Sequence, residues 1–174
     1  MRPKLPILVL ATVAFAGMAT AAPTFPDQAT YGGTLKGKVK ALVPGVKPLK
    51  FKAKNPGTTF ELDGPAGKFT VRTGDVTLIG TMIPGAKPGR FESIQPVGED
   101  LDVLIAGVED YFDTNSSVGV TVTGVEVTGG NSMKKAGAAV TSAFVLQISG
   151  TTDLLSLPFT ATAKMKFKGP RAAN

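Results

Sequence analysis

Lysine falls on every second residue in three stretches of this chain, and that spacing narrows its folds more than any other feature. Lys36, Lys38 and Lys40 alternate with Leu35, Gly37, Val39 and Ala41; Lys50, Lys52 and Lys54 alternate with Leu49, Phe51 and Ala53; Lys164, Lys166 and Lys168 alternate with Ala163, Met165 and Phe167. Successive side chains of a β-strand point to opposite faces, so a two-residue period describes a strand with one packed face and one wet face. Further alternating stretches are separated by turn material: Pro44-Gly45, Asn55-Pro56-Gly57, Gly64-Pro65, Thr73-Gly74, Pro84-Gly85 and Gly129-Gly130. The pattern places strands near 33–43, 48–54, 58–63, 67–73, 75–83, 90–97, 101–107, 117–128, 140–149 and 157–168.

Helices of crossover length are missing from this reading, which argues against parallel βαβ units. The expected fold class is all-β, mainly an antiparallel β-sandwich, with a β-barrel or half-barrel holding an internal cavity as the alternative. The inward set comprises Val39, Phe51, Phe60, Leu62, Phe69, Val71, Val76 and Leu78, then Leu101, Val103, Ile105, Val118, Val120 and Val122. Phe144, Leu146, Ile148, Phe159, Met165 and Phe167 complete it. Gly124 marks a bulge, because Val125 and Val127 resume the alternation with changed parity. Residues 131–136 read as a loop or single turn ahead of a strand.

The N-terminal residues read as an export signal. Arg2 and Lys4 precede the apolar run Leu5 to Met18, and Ala19-Thr20-Ala21 supplies small residues for cleavage. The expected organisation is a signal peptide at 1–21, an extended leader at 22–32, one β-rich domain at 33–168 and a flexible tail at 169–174. The destination is secreted or periplasmic. No later stretch is apolar enough for a membrane helix. With 2 tyrosines and 0 tryptophans the aromatic belts of an outer-membrane barrel, the third alternative, are lacking, so the mature chain is not expected to be integral to a membrane. Export permits disulfides, yet the chain has 0 cysteines and 0 histidines. Thiol chemistry, an imidazole base and the usual zinc ligands are thereby removed.

The charges are segregated. Thr34 to Arg90 holds 11 bases and three acids, 91–131 holds eight acids and no base, and 132–174 holds six bases with Asp153 as the lone acid. Lys36, Lys38, Lys40, Lys50, Lys52 and Lys54 on neighbouring strands make one basic field, which Lys164, Lys166 and Lys168 join if the terminal strands pair. Such a field suits an anionic envelope component, another protein or a second copy of the chain. Solvation and protection of a sheet edge is the simpler role for the same lysines. Nucleic acid is a poor candidate ligand: with 0 tryptophans and 2 tyrosines, stacking platforms are scarce.

Two acidic groups, Glu99, Asp100 and Asp102, then Glu109, Asp110, Asp113 and Asn115, flank the strand expected at 101–107. Asp110, Asp113 and Asn115 offer oxygen ligands for calcium, the one cofactor considered, although the spacing is not that of a helix-loop-helix calcium loop. An acidic solvated turn is the competing reading. Ser132 and Lys135 match a Ser-x-x-Lys spacing, but the Ser-Asp-Asn and Lys-Thr-Gly elements that accompany such a nucleophile are missing. Asn115-Ser116-Ser117 fits a glycosylation acceptor. The expected function is that of a non-enzymatic, exported β-domain with an accessory, structural or adhesive binding role at the envelope. The alternative is a carrier of a lipid or other apolar anionic ligand in a β-cavity.

Overall fold

The computed structural model describes residues 28–86, 90–136, 139–153 and 155–172. The expected signal peptide, the expected leader up to residue 27 and the last two residues of the expected tail lie outside them. Among the described residues the chain forms β1 (Ala29–Leu42), β2 (Leu49–Asp63), β3 (Lys68–Thr73), β4 (Val76–Pro84), β5 (Arg90–Ile94), α1 (Glu99–Asn115), β6 (Val120–Ala136), β7 (Ala139–Thr152) and β8 (Pro158–Pro170). Each strand pairs antiparallel with the next, and β1 pairs with β8, so the sheet closes into a barrel. The architecture is all-β and antiparallel, and of the two arrangements expected it is the ring rather than a pair of facing sheets.

The period-two pattern becomes burial. Leu35, Val39, Phe60, Leu62, Phe69, Val71, Val76, Leu78, Val120, Val122, Phe144, Leu146, Ile148, Phe159, Met165 and Phe167 are buried in one core, with Phe51 and Val118 packed at its margin. At one level of the barrel Phe60 stacks between Phe69 and Phe167, with centroids 5.3 and 5.1 Å away. At another level the edge of Phe112 meets Phe51 at 5.5 Å, and Phe159 lies 5.9 Å away. The expected bulge at Gly124 is present as a register shift between Val122 and Gly124.

Four local expectations are corrected. The strand expected at 101–107 is part of α1. Leu101, Val103 and Ile105 satisfy a period of two over a short window, but Leu104, Val108, Tyr111 and Phe112 bury themselves at helical spacing while Val103 is 39% exposed. The carbonyl of Gly98 accepts from the N–H groups of Leu101 and Asp102, and Glu99, Asp100 and Asp102 sit where the helix dipole favours negative charge. Asn55-Pro56-Gly57 is not a turn but part of β2, beside the register shift at Gly33/Thr34. Proline is tolerated there because β2 meets β3 only from Thr59 onward, which leaves the N-terminal half of β2 paired to β1 alone. Residues 131–136 continue β6 instead of turning. Finally, β1 begins at Ala29 inside the expected leader, and β8 runs to Pro170 inside the expected tail, where Arg171 bridges to Tyr31.

The ring is uneven. Between β5 and β6 the ladder consists of Arg90 opposite Lys134 and Phe91 opposite Met133. Past that short seam the side chain of Gln95 substitutes for a strand: its Nε2 donates to the Val125 carbonyl at 2.9 Å, and its Oε1 accepts from the Val127 N–H at 2.6 Å. Helix α1 packs over the opening against β4 and β6. Gly107 lets the helix approach so closely that a Cβ there would collide with the Thr77 carbonyl oxygen. Tyr111 reaches from the helix across the interior to β1, where only the missing Cβ of Gly37 leaves room for its hydroxyl. The ring interior at this level is occupied by protein.

Candidate functional site: a lysine grid on the outer wall

The terminal strands do pair, and this brings all nine lysines onto one outer wall formed by β8, β1 and β2. The register sets them in rows. Lys166, Lys36 and Lys54 are directly opposite one another, as are Lys164, Lys38 and Lys52 in the next row; Lys40 faces Lys50 and Thr162, and Lys168 faces Thr34. All nine are exposed, whereas Leu35, Gly37, Val39, Ala163, Met165 and Phe167 between them point into the barrel. With neighbouring strands about 4.8 Å apart and same-face residues about 6.7 Å apart, nine ammonium groups occupy a patch of roughly 10 by 20 Å.

Their charge is not matched locally. Like charges directly across a ladder destabilise it. The ion pairs formed among the described residues join Lys68 to Asp100 at 2.5 Å and Arg72 to Glu61 at 3.5 Å, and include none of the nine. The acids are elsewhere: the acidic segment is mostly helix α1, which packs on β4 and β6. A shallow groove of about 680 Å³ runs between the lysine stems, lined by Lys38, Lys40, Lys50, Lys52, Thr162 and Lys164. The wall therefore offers positive charge over an extended strip, with flexible four-carbon stems that adapt to irregular anions.

The three oxygen ligands considered for calcium fall near the end of α1. Asp110 and Asp113 are exposed on the helix, and the Asn115 Nδ2 donates to the Tyr111 carbonyl at 2.9 Å, serving the helix terminus. Among the described residues, no group of three or more Asp or Glu side chains is placed to hold a metal ion. Ser116 is committed to a local turn, its Oγ exchanging hydrogen bonds with the backbone of Val118 at 3.0 Å. Ser132 and Lys135 lie in β6 rather than on a helical turn.

Sequence reasoning missed two buried phenols. Tyr31 and Tyr111 have hydroxyls without hydrogen-bond partners, and burial pushes the Tyr111 phenol up to about 12. Burial also raises that of Tyr31, against the pull of Arg171. The i, i+4, i+7 spacing of Leu104, Val108 and Tyr111 was the available signal for the second.

Neither a protein-family model nor a curated protein matches this chain. Among solved structures, the ywiB protein from Bacillus subtilis is similar at 8% identity and a TM-score of 0.27, over 84% of this chain and 95% of that one.

Proposed function

We propose that this protein is a non-enzymatic, exported binding domain that attaches to a polyanionic component of the cell envelope through the β8–β1–β2 wall. The single observation that carries this reading is the grid: nine lysines on one wall, eight of them in facing rows, and all nine ion-paired with nothing among the described residues. A wall built only for hydration gains nothing from stacking like charges opposite one another, and each facing pair weakens the ladder. An extended polyanion relieves that repulsion along the whole strip. Export rests on the N-terminal sequence pattern.

Retention of the purified protein on immobilised dextran sulfate tests the reading. Wild type should be held at low salt and released as ionic strength rises, because exposed charges are screened over about 10 Å at 0.1 M. Replacing Lys36, Lys38, Lys164 and Lys166 together by Gln should abolish retention, and replacing Lys68 and Arg72 should leave it intact. Passage of wild type through the matrix at low salt, or equal retention of the quadruple variant, would refute it.

A further inference from the structure

The lysine wall ends in an apolar tip. Along β1 the outward residues run Lys36, Lys38, Lys40 and then Leu42, which is 46% exposed. Along β8 they run Lys168, Lys166, Lys164, Thr162, Thr160 and then Pro158, and Leu42 lies opposite Thr160. The β1–β2 turn beyond Leu42 carries Val46, 51% exposed, and leads to Leu49, 37% exposed; the β7–β8 connection at the same end carries Leu155, 68% exposed. Two apolar hollows open beside them. One, about 250 Å³, is walled by Ala41, Val43, Phe51, Phe112, Val118 and Phe159, and the other, about 300 Å³, lies on the outer surface between Leu42, Pro44 and Pro158.

We infer that this end of the barrel docks into an anionic phospholipid bilayer, with Leu42, Val46 and Leu155 entering the acyl boundary and the lysine rows behind them meeting the phosphates. The inference rests on the polyanion reading above and names the partner. The order of chemistry along the wall carries it: Leu42, Val46 and Leu155 at the tip with Lys47 beside Val46 in the same turn, Lys40 and Lys50 immediately behind, then two further lysine rows. A bilayer surface presents the matching order of alkyl chain, phosphate and water. A soluble polyanion needs only the lysines and leaves the exposed leucines and valine unexplained. A purely apolar partner leaves the lysines unexplained. Peripheral attachment commonly needs two signals, an apolar insertion and a basic patch, and this end has both.

The chain has 0 tryptophans, so Val46→Trp installs a single reporter at the tip. Vesicles of phosphatidylcholine with 30% phosphatidylglycerol should shift its emission to the blue, and brominated acyl chains should quench it. Phosphatidylcholine alone, or dextran sulfate, should do neither. In cosedimentation without the reporter, Val46→Ser with Leu155→Ser, which leaves the charge unchanged, should weaken binding to the anionic vesicles at least tenfold while leaving retention on dextran sulfate unchanged; both positions are exposed turns, and dextran sulfate retention verifies the fold. Vesicle binding equal to wild type in that double variant would overturn the inference and leave the polyanion reading standing. Loss of dextran sulfate retention by wild type would remove both. A wild-type dimer that the double variant converts to monomer, without vesicle binding, would assign the tip to a second copy and overturn the inference.

Discussion

The β8–β1–β2 wall and the β4–β5–β6 wall solve the same problem by opposite means. On the first, ladders run from Leu35 to Ala41 without a break and each residue has partners on both sides. On the second, the β5–β6 ladder among the described residues is the two pairs at Arg90 and Phe91, and Gln95, α1 and Tyr111 complete the enclosure. The continuous wall carries unmatched like charge, and the discontinuous wall carries the helix and buried aromatic plug. Backbone pairing on both sides of β1 thus supports the repulsion that its lysines introduce, whereas Lys50, Lys52 and Lys54 lie where β2 is paired to β1 alone.

Removing the plug should separate the two walls most sharply. Tyr111→Ala empties a fully buried aromatic site and is expected to cost about 3–5 kcal/mol in urea denaturation. Tyr111→Phe keeps the packing and deletes an unpartnered hydroxyl, so stability at pH 7 should hold or rise. Its effect emerges at alkaline pH. The wild-type phenol is held protonated in the fold up to about 12, against about 10 in the unfolded chain. Its contribution is therefore complete below pH 10 and is lost as pH climbs toward 12. Wild type should lose more stability than Tyr111→Phe across that window, and parallel pH curves would show that the hydroxyl is not desolvated.

Next in size is the helix contact itself. Gly107→Ala gains helix propensity but drives a methyl group into the Thr77 carbonyl, so a net loss of about 1–3 kcal/mol is expected. Faster hydrogen exchange at Val125 and Val127 than at Lys38 would locate the loosening on the discontinuous wall. The smallest effect belongs to the lysine wall: Lys38→Gln, between Lys52 and Lys164, should stabilise by about 0.5 kcal/mol at low salt, and the gain should vanish at high salt. An unchanged or lowered denaturation midpoint at low salt would mean that the rows do not repel.

The lysine wall was largely legible because a period of two forces its residues to one face regardless of neighbours. What the alternation cannot encode is pairing across the chain: Lys36 and Lys166 are far apart in sequence, and only closure of β1 onto β8 makes them opposite. The helix was misread for a complementary reason. Leu101, Val103 and Ile105 fit a strand over five residues, and the helical spacing emerges only when Val108, Tyr111 and Phe112 are counted with Leu104. Asn55-Pro56-Gly57 has turn composition, but the long ladder to β1 holds it straight, and the half-free position of β2 makes the missing proline N–H inexpensive. The tip is not legible because Leu42 and Val46 at the β1–β2 junction and Leu155 in the β7–β8 connection are single apolar residues far apart in sequence, and nothing local states that they share one end.

The half-paired stretch of β2 has a consequence of its own. From Leu49 to Asn55 its outer backbone edge has no partner strand among the described residues, which is a template for another extended chain. Pro56 cannot donate there, and Lys50, Lys52 and Lys54 repel an identical edge approaching from another copy. These residues are gatekeepers against aggregation as well as a binding wall. Screening or neutralising the lysines weakens that guard, leaving Pro56 as the chemical barrier along the strand that does not depend on charge.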